Sequence, residues 1–355
     1  MRFGFLSTAQ IAQKNWKAIY HSGNATVAAV ASRDVERSRQ FIVECQQQQA
    51  LFEAPPRALG SYEELIAAGD IDALYIPLPT ALRKEWVIRA AEAGKHVVCE
   101  KPCAVSAADL QEMIAACREH RVQFMDGVMF MHHPRLEHIR RVIEDGKSIG
   151  RIKRIMSLFA FRGDDHFLRT NIRTRGDLEP AGCLGDLGWY CIRFILWAQH
   201  RHLPREVIGR ILSASEARGG SAAVPMDFSA ELIFDHGASA GFYSSFLTQF
   251  QQWADISGTK GYLRVSDFVH PANDLESTFE VNGKLVHVKT DLDGQEKPDA
   301  VAQQTKLFRE FSRRVVSGKV DESWPEMALK TQQVMDACLE SARGGGRAVA
   351  LSAAV

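Results

Sequence analysis

Lys101 stands in Cys99-Glu100-Lys101-Pro102, directly after the apolar run His96 to Cys99. A lysine at the carboxyl end of a parallel strand faces the crevice where open α/β sheets bind their ligands. An ammonium there can hold a substrate hydroxyl or meet developing negative charge, whereas a lone lysine at a strand end is most often simply solvated. Its flanks favour the first reading: Glu100 precedes it, Pro102 fixes the backbone after it, and a cis Lys101-Pro102 bond is open to such a turn. A second strand ends in Tyr75-Ile76-Pro77-Leu78-Pro79-Thr80. Pro77, Pro79 and Thr80 are therefore expected beside Glu100 and Lys101 at one edge of the sheet, in contact with a bound cofactor.

The segment Gly4 to Ala12, GFLSTAQIA, lies where a dinucleotide-binding turn would sit between a first strand and a first helix. Laid on the GxGxxG pattern, its three glycine positions fall on Ser7, Ala9 and Ala12. Ala12 still permits close packing of helix on strand, while Ala9 adds a methyl where a pyrophosphate approaches. The hydroxyls of Ser7 and Thr8 can compensate beside the helix N-terminus, next to Ile11 in its first turn. Two readings stand here, a dinucleotide turn and a plain capped strand-turn-helix. The second strand ends in Ala31-Ser32-Arg33, with no acidic residue to take a ribose 2′-hydroxyl. Ser32 and Arg33 suit a 2′-phosphate, so the expected cofactor is NADP, with NAD as the alternative. The competing reading of Arg33 is a solvated arginine before a helix capped by Asp34.

These residues need a rigid frame, and the first third of the chain alternates short apolar runs (FGFL, ATVAAVA, ALYIPL, HVVCE, VQFM) with helical stretches. That rhythm predicts parallel strands with crossover helices, buried on both faces. Ser61-x-x-Glu64 and Ser106-x-x-Asp109 resemble capping boxes at helix starts. A doubly wound Rossmann domain is thus expected over residues 1–125. After a helix at Pro134 to Gly146 the runs lengthen and alternate: RIKRIMSLFAF, FSAELIFD, SAGFYSSFL, WADISGTKGYLRV, STFEV and LVHVK. They predict a large, mostly antiparallel open sheet in an α+β domain over residues 126–355, with turns at His236-Gly237 and Asn282-Gly283. Two helices close the chain, one presenting Phe308, Phe311 and Val315 on one face, the other opening at Pro325 and stopping at Gly344-Gly345-Gly346.

A chain of 355 residues exceeds one core, and 46% hydrophobic with 24% charged residues is ordinary globular usage. Lys plus Arg equals Asp plus Glu at 43 each, with no block of like charge, so nucleic acid is not an expected partner. Seven scattered cysteines without a CxxC pair indicate neither a disulfide framework nor a zinc cluster, and no metal site is expected. Arg2 running straight into Phe3 to Leu6 leaves no room for a signal peptide, and no run of about 18 apolar residues spans a membrane. A cytoplasmic location follows as the expectation.

GFLSTAQIA, YIPLP, AAEAGKHVVCEKP, ISGTKGYLRV and SWPEMALKTQQVMDACLESARGGG together resemble, nearly end to end, the glucose-fructose oxidoreductase, inositol dehydrogenase and rhizopine-catabolism (Gfo/Idh/MocA) superfamily. The resemblance implies that Lys101 lies by the nicotinamide and that a D-x-G-x-(H/Y) segment supplies a partner acid or base. That segment is Gly182-Cys183-Leu184-Gly185-Asp186-Leu187-Gly188-Trp189-Tyr190. Asp186 and Tyr190 inherit the roles by position, and tyrosine rather than histidine resembles the branch of D-xylose and dimeric dihydrodiol dehydrogenases. Removing hydride from a carbinol carbon needs a base for the hydroxyl proton. Tyr190 is expected to carry that proton, with Lys101 as electrostatic partner and Asp186 as a second hydroxyl ligand; the exchange of roles between Tyr190 and Lys101 stays open. Asn171 and Arg173 match a substrate loop of the branch, and Trp189 is a further expected substrate contact. Thr80, Arg83, Lys84 and Ala181 depart from the branch pattern. His132-His133-Pro134 resembles a structural segment at the domain junction. The expected reaction is NADP-linked dehydrogenation of a sugar, cyclitol or cyclic diol. The alternatives are a catalytically silent NADP-binding sensor and a glycosidase using bound NAD. A homodimer or homotetramer is expected by analogy.

Overall fold

The computed structural model describes residues 1–217, 221–273, 276–290 and 301–351. They divide into two compact units, one made of Met1–Ala104, Ala108–His133 and Leu292–Ala328, the other of Val105–Ala107, Pro134–Asp291 and Leu329–Val355.

The first unit runs β1 (Arg2–Leu6), α1 (Gln10–Ser22), β2 (Thr26–Ala31), α2 (Val35–Gln48), β3 (Arg57–Leu59), α3 (Tyr62–Ala67), β4 (Ala73–Ile76), α4 (Thr80–Glu92), β5 (His96–Cys99), α5 (Ala107–Glu119) and β6 (Phe124–Asp126). Its six strands are all parallel in the order β3-β2-β1-β4-β5-β6. This is the doubly wound order whose reversal lies between β1 and β4. Successive side chains of a strand point to opposite faces, so Phe3 and Phe5 share one face and Gly4 has the other. Phe5 meets Trp16 of α1 and Tyr75, with ring centroids 6.3 and 5.2 Å apart. On the Gly4 side a Cβ would stand 2.7 Å from Leu65 of α3, so glycine there is what lets the helix approach. Ser61 caps α3 by accepting from the Glu64 N–H, as its spacing predicts.

The boundary expected at 125/126 falls inside this unit, which also takes in residues 126–133 and the descending part of the chain through Ala328. The reason lies in packing: Phe308 and Phe311 set their rings 5.3 and 5.9 Å from Phe3. Each such ring withdrawn from water stabilises the unit by about 1.5–3 kcal/mol, and the two rings cover Phe3 where α1 covers Phe5. Val315, expected on the same face, is only half-buried.

The second unit contains α6 (Arg135–Glu144), β7 (Ile152–Ala160), α7 (Asp165–Thr170), α8 (Trp189–Ala198), β8 (Glu206–Ala214), β9 (Pro225–Ile233), β10 (Ser239–Ser245), β11 (Gln251–Gly258), β12 (Tyr262–Val265), β13 (Glu276–Val281) and β14 (Lys284–Lys289). The chain continues through α9 (Ala302–Val316), the helix that bears Phe308 and Phe311, then α10 (Ser323–Arg343) and β15 (Val349–Ala350). Nine strands form one sheet in the order β14-β13-β12-β11-β7-β10-β9-β8-β15, antiparallel except for the β7/β10 pair. All ten residues of α8 are buried, and so are Ile155 and Phe159 of β7, Phe228 of β9 and Phe242 of β10. On the opposite face charges pair across strands: Arg154 with Glu231, and Arg264 with Asp255 at 2.8 Å. Asn282 and Gly283, both at positive φ, turn β13 into β14, and Gly237 turns β9 into β10. The single run expected at WADISGTKGYLRV is a hairpin, β11 and β12, broken at Thr259-Lys260-Gly261. Among the described residues no helix is long and apolar enough to cross a membrane.

Candidate functional site

In the first unit the expected nucleotide contacts gather at the carboxyl ends of β1, β2, β4 and β5. Ser7 adopts φ 137°, a conformation that side chains rarely take and that the first glycine of a dinucleotide turn exists to supply. Its hydroxyl accepts from the Ala9 N–H at 3.1 Å. That bond compensates the strained residue from within the turn. Ala9 then precedes α1 in an extended conformation, and no side chain caps the helix. The amides of the first turn and the positive end of the helix dipole are therefore available to an anion. Thr8 is half-buried, Ile11 exposed, and Ala12 fully buried against the sheet, as close packing requires. These features fit a dinucleotide's pyrophosphate even with the glycines gone.

At the end of β2, Ser32 is buried and its hydroxyl is spent on the turn: it accepts from the Asp34 N–H and from Ser38 and donates to the Asp34 carbonyl. Ser32, expected as a cofactor contact, is thus a turn-former, because a buried hydroxyl without such bonds would be costly. Arg33 is exposed and Asp34 caps α2. Tyr62 shows what else is nearby: burial pushes its phenol up, and Arg33 and Arg37 both pull it down. Arg37, one helical turn beyond Arg33, is a second cation at this corner that strand-end reasoning overlooks.

Pro77 is buried, Pro79 half-buried, and α4, like α1, opens without a side-chain cap. Thr80 points its hydroxyl at the Pro102 carbonyl at 3.4 Å. The Lys101-Pro102 peptide is cis. Glu100 is held by the Tyr75 hydroxyl at 2.7 Å and by the Asn15 amide at 3.4 Å, and Asn15 also donates to Tyr75 at 2.5 Å. Glu100 therefore sits in a hydrogen-bonded network rather than on the surface. Burial, then the Glu100 carboxylate, raise the Tyr75 phenol well above its ordinary range, which keeps it a donor.

In the second unit Asp186 and Tyr190 sit on a helix that begins irregularly. Leu184–Gly188 form a π-helical turn in which the Trp189 N–H reaches back to the Leu184 carbonyl, five residues earlier. Such bulges recur at functional sites because the extra residue re-aims side chains. Arg173 Nε donates to Asp186 Oδ2 at 3.0 Å. The Asp186 carboxylate holds that guanidinium above its ordinary range against burial, with smaller contributions from Glu179 and Tyr190. Arg173, Asp186 and Tyr190 are thereby one electrostatic group. Asp186, expected as a hydroxyl ligand in its own right, is shared with Arg173, although a carboxylate has lone pairs for both. Asn171 uses its side-chain oxygen to cap the short turn at Ile172–Thr174, accepting from the Arg173 N–H at 3.0 Å. It orients Arg173. The Tyr190 ring packs edge-on against Phe159, centroids 5.5 Å apart. Trp189 corrects an expectation: it is 0% exposed, with the Arg193 guanidinium 5.8 Å from its ring centre, and is a core residue rather than a substrate contact. Every residue of α8 is buried, and its first is no exception.

Comparison with known proteins agrees with both halves. Residues 1–128 match the family model described as oxidoreductase family, NAD-binding Rossmann fold, and residues 136–264 match the GFO/IDH/MocA C-terminal domain. The chain is 30% identical over 350 residues to a D-xylose 1-dehydrogenase (NADP(+)) of Haloferax volcanii, covering 97% of this chain and 98% of that one. It is 28% identical to a trans-1,2-dihydrobenzene-1,2-diol dehydrogenase of Xenopus tropicalis, over 89% and 88% of the two chains. A 3-ketoreductase from Actinomadura kijaniata, crystallised with NADP and TDP-benzene, superimposes with a TM-score of 0.79 at 24% identity, over 98% of each chain. With family models matched over residues 1–128 and 136–264, and 30% identity to the D-xylose 1-dehydrogenase over nearly the whole of both chains, this chain belongs to the GFO/IDH/MocA oxidoreductases.

Proposed function

We propose that the protein is an NADP-dependent oxidoreductase that moves hydride between the nicotinamide and a hydroxyl-bearing carbon of a sugar, cyclitol or cyclic diol. The observation that carries this reading is the presence in one chain of Lys101 at the end of a buried strand and of Asp186 on a π-helical turn, paired with Arg173 and followed one turn later by Tyr190. The xylose and dihydrodiol dehydrogenases among its relatives support the substrate class. The nucleotide belongs to residues 1–125: Ser7, Thr8, Ala9 and Ile11 at the pyrophosphate, Arg33 with Arg37 at a 2′-phosphate, and Pro77, Pro79, Thr80, Glu100 and Lys101 along the nicotinamide half. The second unit takes the substrate and the self-association into a dimer or tetramer. A nicotinamide bound there would supply the hydride acceptor or donor. The chain's own residues manage the proton: Tyr190 Oη takes it from the substrate hydroxyl, Lys101 Nζ and Asp186 hold that hydroxyl and its neighbour, and Arg173 offsets the charge on Asp186. A sensor without chemistry would have no use for that group. The seven cysteines are all buried free thiols, which supports a reducing, cytoplasmic setting.

The test is absorbance at 340 nm with NADP or NAD against aldoses, inositols and cyclic diols. Turnover with NADP on at least one class is expected. Silence across the panel, with cofactor bound, would instead favour the sensor. Arg33→Ala is expected to raise the KM for NADP about 10- to 100-fold, the worth of a charge-assisted phosphate contact, while NAD is used as before. Equal loss with both cofactors would show that Arg33 does not read the 2′-phosphate.

A further inference from the structure

We propose that Arg83 is a positioning residue for Lys101: a single buried guanidinium that fixes the main chain on both sides of the lysine. The inference rests on the reading of Lys101 given above. Arg83 lies in the first turns of α4 and is only 5% exposed, unusual for a charged side chain. Its Nε donates to the Leu78 carbonyl at 2.7 Å, and its Nη1 donates to the Glu100 carbonyl at 2.9 Å and also to the Pro102 carbonyl. Glu100 and Pro102 are the two neighbours of Lys101, and Leu78 belongs to the loop leaving β4. One planar group therefore ties the exits of β4 and β5 together.

These three carbonyls lie past the last residues of their strands, where the ladder no longer supplies N–H donors. Arginine answers that need because its donors radiate from a rigid plane, which a lysine's single nitrogen cannot reproduce. From the other side, Glu100 Oε2 accepts from the Lys101 N–H at 3.3 Å, and the same carboxylate is anchored by Tyr75 and Asn15. Gly127 closes the cage, since a Cβ there would stand 3.1 Å from the Glu100 carboxyl. The main chain at Lys101 is thus set before any ligand arrives. Pre-setting of this kind governs rate, because a misplacement of about 1 Å costs on the order of 100-fold in a positioned reaction.

Arg83→Lys separates this role from that of a mere seal between α4 and the sheet. Expected are a fall in kcat of about 10- to 100-fold, KM values for NADP and substrate within about threefold, and a melting temperature close to that of the parent. In the protein without cofactor, amide hydrogen exchange in the peptide spanning His96–Ala104 is expected to quicken by about tenfold. Lys84→Ala, which removes only the paired cation facing Asp109 and Glu112, serves as the control and leaves all four readouts in place. Unchanged exchange and kcat in both Arg83→Lys and Arg83→Gln would overturn the proposal. So would failure of both variants to fold, which would make Arg83 an element of the fold. If Lys101→Ala kept its turnover while exchange quickened in Arg83→Lys, the clamp would stand and the role given to Lys101 would fall.

Discussion

Tyr190→Phe is expected to lower kcat by about 100- to 10,000-fold, the usual worth of a positioned proton carrier, with cofactor affinity and melting temperature nearly unchanged. The substitution removes one oxygen and keeps the ring that packs against Phe159 in the second unit. Lys101→Ala is expected to lose turnover over the same range. The double variant should be scarcely worse than the weaker single, because groups that act on one proton fail together. Single-turnover hydride transfer at 340 nm reads the chemical step directly, with NADPH fluorescence titration reading binding beside it. Activity in Tyr190→Phe within threefold of the parent would remove Tyr190 from the proton pathway and leave Lys101 as its carrier.

Gly182→Ala is expected to be strongly destabilising, because it meets both a positive φ and a backbone clash. Gly182 has φ 49°, and a Cβ built on it would stand 2.2 Å from the Pro225 carbonyl oxygen at the head of β9. Neither partner can yield, since one is backbone entering a strand and the other opens the turn that carries Asp186. A loss of about 4 kcal/mol or more follows, which lowers the melting temperature of a unit this size by roughly 10 °C. Gly237→Ala supplies the comparison. Its φ is 76° but nothing lies within 4 Å of the added methyl, so only the backbone term of about 1 kcal/mol is paid. Equal melting temperatures for the two variants would show that β9 gives way and that the close approach is not a constraint. The geometry also accounts for Ala181, where the branch pattern has glycine: it is Gly182, not its neighbour, that the contact with Pro225 demands.

The first-unit half of the candidate site was legible because its signals are local. The ends of β4 and β5 follow from buried runs closed by proline, and those ends are where the fold delivers ligands. Arg33 could be read against the acidic residue it replaces. The eroded GxGxxG was legible as a departure but not as a solution, for only the folded turn has Ser7 at positive φ with its own hydroxyl closing it. Roles for Asp186, Tyr190, Asn171 and Arg173 came from resemblance, and their spacing alone would have passed for a turn and a half-buried aromatic. In the sequence Arg83 stands out only as a departure from the branch pattern. Its three carbonyl partners are 5, 17 and 19 residues away in the chain, and no local spacing announces such a clamp.

By itself the sequence determined the periodic parts of the molecule: parallel strands from apolar runs between amphipathic stretches, the Ser61 cap, and the tight turn at Asn282-Gly283, each set by interactions among residues a few positions apart. The tertiary structure decided what depends on partners distant in the chain. It placed α9 on the parallel sheet because the faces bearing Phe3 and Phe308 bury each other. It made a strand of Glu206–Ala214, where Ile211 and Leu212 point outward and spoil the alternation that would have marked it. It buried Trp189 in the core of the second unit, and it joined Arg173 to Asp186. In every one of these cases the deciding energy is burial or pairing between distant segments, which exists only once the chain has closed on itself.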